Sequence, residues 1–217
     1  MQIQTLDELV TKHLRKVKVD DNRVIIRSKA VIRRMESKTI EHAKHAFHSK
    51  RISIIATKMA DRLGKDVHAN FLAGLDHDAG KLFTPADLLK DDDHFDAQKH
   101  KLVQPHAVAG YDLFKDISLS LALTIGRVHN TDNMGYGIFL ADFPSNMSKA
   151  EIDTINFNSA LVSICDYIDS NKTRPLRPGK DVLHDGIYVS LEEQLFKKYP
   201  QCQEVVEMAL SVYEELF

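Results

Sequence analysis

The chain has 217 residues, a formal net charge of −2, 43% apolar and 28% charged residues, which suits a soluble globular protein with one sizeable core. That balance argues against nucleic acid as the main partner, although a local basic patch still suits a phosphorylated ligand. Only Cys165 and Cys202 are present, with no Cys-x-x-Cys pair, which argues against thiolate zinc and a disulfide framework. No apolar run approaches the roughly 20 residues that span a bilayer. Residues 1–8 lack the layout of a secretory signal, so the expected compartment is the cytosol, with no membrane partner.

In chain order, residues 6–17 read as a short amphipathic helix ending in the basic cluster Lys12, Arg15, Lys16 and Lys18, a solvated face. Asp20, Asp21 and Asn22 form an N-cap region for a second helix over 24–35, with a strand over 23–27 as the alternative. A longer helix is predicted over 39–63, stopped by Gly64 at C′. The next carries Phe71, Leu72, Leu75, His77 and Asp78, and runs to Leu82 before Thr84 and Pro85 break it. Asp91, Asp92 and Asp93 read as a solvated loop. They lack the alternating oxygen ligands and terminal glutamate of a calcium loop. His106 opens a helix through Phe114, and the apolar stretch 117–128 delivers His129. Residues 130–142 form a turn-rich loop, 152–168 a buried helix bearing Asp166, and 191–217 one or two helices divided near Pro200. The expectation is an all-α fold: a helical bundle (39–217) as one compact unit with a metal centre in its core, and an N-terminal helical extension (1–38).

His77 beside Asp78 joins an imidazole to a carboxylate, a donor mixture suited to borderline and hard cations, and such a carboxylate can bridge two of them. His48 lies 29 residues before His77 and His106 lies 29 after it, with His129 and Asp166 beyond. That spread suits a bundle that brings one or two ligands per helix to its centre. On a continuous helix His77 and Lys81 share a face while Asp78 points about 100° away, and Lys81 would meet an anionic substrate oxygen. His42 and His45 read as solvated helix faces. Arg51 reads as a salt-bridge partner with substrate contact as the alternative, and Arg127 and Asp132 flank His129, with support for it as their alternative role. Tyr136 is a loop anchor or a substrate-stacking ring, and Cys165 is packing.

The ordered set His48, His77, Asp78, His106, His129 and Asp166 resembles the HD superfamily of metal-dependent phosphohydrolases. The resemblance is closest to the HD-GYP branch of cyclic di-GMP phosphodiesterases. Residues 48–52 resemble its opening helix motif, and residues 77–82 its His-Asp-x-Gly-Lys motif. Residues 104–111 resemble its His-x-x-x-Gly helix, and Asp166, Asp169, Arg174, Pro175 and Arg177 its Asp-x-x-Asp and Arg-Pro-x-Arg end. The resemblance implies one ion held by His48, His77, Asp78 and Asp166, with Asp78 bridging to a second held by His106 and His129. It also puts Lys81 on the scissile phosphate and Arg174 with Arg177 on another. The two divalent ions would be iron or manganese, with magnesium, nickel or cobalt as alternatives. Asp78 and Lys81 would be the catalytic residues, and a water activated by the ions would attack phosphorus. The branch has a His-His pair where this chain has His129 and Asn130, and Gly-Tyr-Pro where it has Gly135, Tyr136 and Gly137.

The expected activity is therefore hydrolysis of a phosphoester in a nucleotide or cyclic dinucleotide, by a chain that can form a homodimer. The alternatives are a non-catalytic cyclic-dinucleotide-binding module and a di-iron oxygenase of the same fold.

Overall fold

A computed structural model describes residues 3–16, 22–90, 97–131, 133–173, 182–183, 187–188 and 190–217. Its helices in order are α1 (Ile3–Lys16), α2 (Asn22–Lys38), α3 (Ile40–Arg62), α4 (Val67–Asp76), α5 (Ala86–Leu89), α6 (Ala97–Val103), α7 (His106–Phe114), α8 (Leu119–Arg127), α9 (Lys149–Thr173), α10 (Leu191–Lys198) and α11 (Gln203–Leu216). Short 3-10 turns cover Ala79–Phe83 and Leu140–Asp142. The elements not anticipated from the sequence are α5, α6 and a short hairpin, with β1 (Val182–Leu183) antiparallel to β2 (Ile187–Tyr188). The hairpin leaves the fold all-α in class.

Local chemistry sets the helix ends. Thr39 is extended and its hydroxyl accepts from the His42 amide, which caps α3 at its start. Asp66 accepts from the His68 and Ala69 amides at the start of α4. Gly64 follows α3 with φ +62°, a conformation that glycine adopts without strain. The strand alternative at 23–27 fails because Val24, Ser28, Val31, Ile32 and Met35 are buried at helical spacing along α2.

α3 is the central helix, with α1, α2, α4, α9 and α11 packed around it. Its middle is therefore buried nearly all round, through Ile52, Ile54, Ile55, Ala56, Met59 and Ala60. Full burial of each such isoleucine contributes about 1.5–3 kcal/mol. Leu6, Val10 and Leu14 of α1 and Val31, Ile32 and Met35 of α2 enter the same core. Buried Lys50 on α3 bonds to Asp7 on α1 and Glu36 on α2, adding an ionic tie to the apolar one. No helix among the described residues is long and apolar enough to cross a membrane.

Candidate metal centre

α4 stops at Asp76, so His77 and Asp78 form a turn and the chain continues as the 3-10 turn Ala79–Phe83. This corrects the expectation of one helix to Leu82. A 3-10 turn eclipses residues three apart. Lys81 consequently lies over Asp78, its ammonium donating to Asp78 Oδ2 at 2.6 Å, instead of sharing a face with His77. Gly80 explains the tight seat of this turn: a Cβ there would lie 1.9 Å from the His106 carbonyl oxygen and 2.6 Å from the Gly110 nitrogen. Only a glycine lets this turn touch the backbone of α7, which carries His106.

Two histidines orient themselves in the same way. His77 Nδ1 lies 2.8 Å from the Gly74 carbonyl and His106 Nδ1 lies 2.7 Å from that of Val103. A carbonyl only accepts, so each Nδ1 carries the proton and each Nε2 presents a lone pair. His48 comes from α3 and Asp166 from α9. Their Nε2 and Oδ1 atoms are 2.8 Å apart, and that oxygen is 3.9 Å from His77 Nε2. Ser170 also donates to Asp166 Oδ1, at 3.1 Å.

On the other side of Asp78, His106 Nε2 is 3.4 Å from its Oδ1 and 3.1 Å from His129 Nε2. His129 follows α8 and stacks on Tyr136, with ring centroids 4.9 Å apart. Asn130 is fully buried and spends both ends of its amide on the loop. Its Nδ2 donates to the Ile138 carbonyl at 3.1 Å, and its Oδ1 accepts from the Gly135 amide at 3.0 Å. Buried Arg127 adds bonds to Asn133 Oδ1 and to the Thr131 and Ile138 carbonyls, and reaches Asn156 on α9. Arg127 thus braces the loop that follows His129, and Asn130 is a loop clamp.

At Asp78, Asp166, His77 and His129 the directions of the pKa shifts suit a cation. Burial alone would raise Asp78 and Asp166. Lys81 and His77 outweigh it for Asp78, and the His48 hydrogen bond for Asp166, so both stay well below the usual carboxylate range. Burial lowers the His77 and His129 imidazoles, with His106 adding to the effect at His129. Burial opposes the charged form of His48 too, but its hydrogen bonds to Asp166 and Asp169 hold its pKa above the ordinary value. Two ionised carboxylates and two neutral imidazoles therefore converge. His48, His77 and Asp78 offer ligand atoms close enough for one ion, as do Asp78, His106 and His129. Two buried atoms in this cluster, His77 Nε2 and Asp78 Oδ1, have no hydrogen-bond partner. Orphaned buried acceptors of this kind are costly, and a bound cation satisfies them. The residues fit a divalent metal with nitrogen and oxygen ligands.

The structure therefore gathers His48, His77, Asp78, Lys81, His106, His129 and Asp166 at one place. Arg174, Arg177 and Asp132 lie outside the described residues, as do Asp91, Asp92 and Asp93. His42 is not on a solvated face: it is buried, with Nε2 3.1 Å from the Thr84 carbonyl. His45 is nearer the chemistry than its sequence reading implied, 3.4 Å from Asp78 Oδ2 and 3.3 Å from Lys81 Nζ. Its spacing of three from His48 on α3 was the available signal. Cys165 is buried core, and burial pushes its thiol up, away from nucleophilic use.

A family model for the HD domain matches residues 46–171, more than half of the chain, and includes all seven residues of the cluster. The chain belongs to the HD-domain family, the superfamily of metal-dependent phosphohydrolases. Neither a comparison with characterised proteins nor one with solved structures returned a match.

Proposed function

We propose that the chain is a phosphodiesterase or phosphohydrolase acting in the cytosol on a nucleotide or cyclic dinucleotide, as a divergent HD-GYP-like enzyme. The observation that carries this reading is Asp78: a fully buried carboxylate with the His77 imidazole beside Oδ2, that of His106 beside Oδ1 and an ammonium over Oδ2. In this reading His48, His77, Asp78 and Asp166 hold one divalent ion, iron or manganese, and Asp78, His106 and His129 hold a second. Bound there, such ions supply Lewis-acid polarisation of a phosphoryl group and acidify an attacking water. Lys81 offsets charge that develops on phosphoryl oxygens, and its 3-10 seat fixes where it can do so. Tyr136 and its clamped loop wall the His129 side against bulk water. Arg174 and Arg177 take a second phosphate of the ligand. Asn130 is committed to the loop, which favours two ions over the three that a His-His pair would allow.

The test is metal analysis of the full chain after loading with Mn²⁺ or Fe²⁺, followed by incubation with cyclic di-GMP, other cyclic dinucleotides, linear dinucleotides and nucleoside phosphates. The expected result is two ions per chain and metal-dependent phosphoester cleavage. Metal-loaded protein that cleaves none of the panel overturns the enzymatic reading. Tight cyclic-dinucleotide binding without turnover then identifies a binding module, and oxygen consumption by the iron form an oxygenase.

A further inference from the structure

Asp169 lies on α9, three residues beyond Asp166. It is fully buried and uses both carboxylate oxygens. Its Oδ2 accepts from His48 Nδ1 at 2.7 Å and from an Arg51 terminal nitrogen at 2.7 Å, while its Oδ1 accepts from Arg51 Nε at 2.7 Å. Arg51 is three residues after His48 on α3, so one helix face supplies both the imidazole and the cation that fixes its carboxylate partner. A carboxylate gripped by a two-pronged guanidinium cannot turn, and an imidazole bonded to it cannot turn either. The other two inward-facing imidazoles with a fixed Nδ1 lean on main-chain carbonyls three residues back. His48 sits inside α3, where the carbonyls are engaged in the helix, and must take its support from another element.

Buried Tyr213 on α11 belongs to the same neighbourhood. Burial, and then the charge of Asp169, push its hydroxyl up to about 12, so it remains a proton donor across the working range. α11 packs on both α3 and α9 and lies outside the 46–171 segment that the family model covers.

We infer that Asp169, clamped by Arg51, is a positioning residue that keeps the Nδ1 proton of His48 in place and aims its Nε2 at the metal centre. The inference rests on the metal-centre reading proposed above. A carboxylate that orients a metal-bound histidine commonly contributes ten- to a hundredfold to metal affinity or activity. Asparagine keeps one oxygen acceptor but loses the charge, and its amide can present nitrogen to His48 instead.

The test is Mn²⁺ titration of the full chain, followed by the electron paramagnetic resonance of free Mn²⁺, alongside thermal melts. In Asp169→Asn the affinity at the His48 half is expected to fall about 10- to 100-fold while the His106 and His129 half stays within a few-fold of wild type. Arg51→Lys keeps the charge but loses the two-pronged grip, and should give a smaller loss at the same half. It also serves if Asp169→Asn does not fold. His48→Ala marks which half is which. Wild-type affinity at both halves in Arg51→Lys and in folded Asp169→Asn overturns the inference, as does an equal loss at both halves that tracks melting temperature. Wild-type chain that takes up no Mn²⁺ overturns the metal-centre reading itself, and that failure shows before any variant is made.

Discussion

His48, His77 and Asp166 stand on or directly after α3, α4 and α9, the three helices whose mutual packing builds the core, and their orienting partners are helix carbonyls or side chains on those helices. His106 leans on the Val103 carbonyl as His77 leans on that of Gly74, but the two histidines on this side stand on shorter, more peripheral elements. His106 opens the nine-residue α7, and His129 follows α8 and is stacked on a tyrosine from a loop. That loop keeps its shape through Asn130 and Arg127. One half of the centre is therefore as rigid as the core, while the other is as rigid as a clamp makes it. The difference leads to the expectation that the two groups of side chains respond separately to substitution, even though Asp78 belongs to both.

The largest effect breaks that separation. Asp78→Ala should remove metal from both halves, lowering activity by more than about a hundredfold, beyond what a merely orienting residue contributes. Elemental analysis checks it, and retention of one full ion would show that Asp78 is not shared. Next, His129→Ala should leave one ion per chain in the His48 half, while His48→Ala should leave one in the other. Loss of both ions from either variant would mean the halves are not independent. Asn130→His reinstates the imidazole of the related branch but breaks both clamp bonds. It should gain no ion and lose about 1–3 kcal/mol of stability in denaturant melts, because buried loop groups lose their partner. A third bound ion would overturn the clamp. The smallest effect lies away from both halves, at Glu215 of α11, which pairs with Lys58 and Arg62 of α3. Those bonds to Arg62 and Lys58 hold Glu215 down to about 2. A depressed carboxylate stabilises above its unfolded pKa and loses that contribution as pH falls through the folded one. Glu215→Gln should therefore lower Tm slightly at pH 7 and low salt, and match wild type near pH 2. An unchanged gap at low pH would contradict this.

The cluster was legible because few residue types can ligate a metal, and His48, His77, Asp78, His106, His129 and Asp166 fall on or directly after successive helices. Helix ends at Thr39 and Gly64 were legible for a local reason: caps depend on neighbours in sequence. What escaped depends on distant partners or on a change of helix type. Lys81 was assigned to the wrong neighbour because periodicity cannot tell an α turn from the tighter 3-10 turn that follows Asp78. His42 was misread as solvated because its partner, the Thr84 carbonyl, is 42 residues away. The Asn130 clamp needs Ile138 to fold back over it, which spacing alone does not encode.

The close seat of Gly80 against His106 and Gly110 has a consequence for how the centre tolerates change. The gap between its halves is gauged by main chain resting on main chain, with no rotamer in between to yield. Side chains around the centre can be exchanged and resettle, but a single methyl at Gly80 shifts a whole helix. Drift in the sequence can retune what the centre meets, then, while its width stays the same.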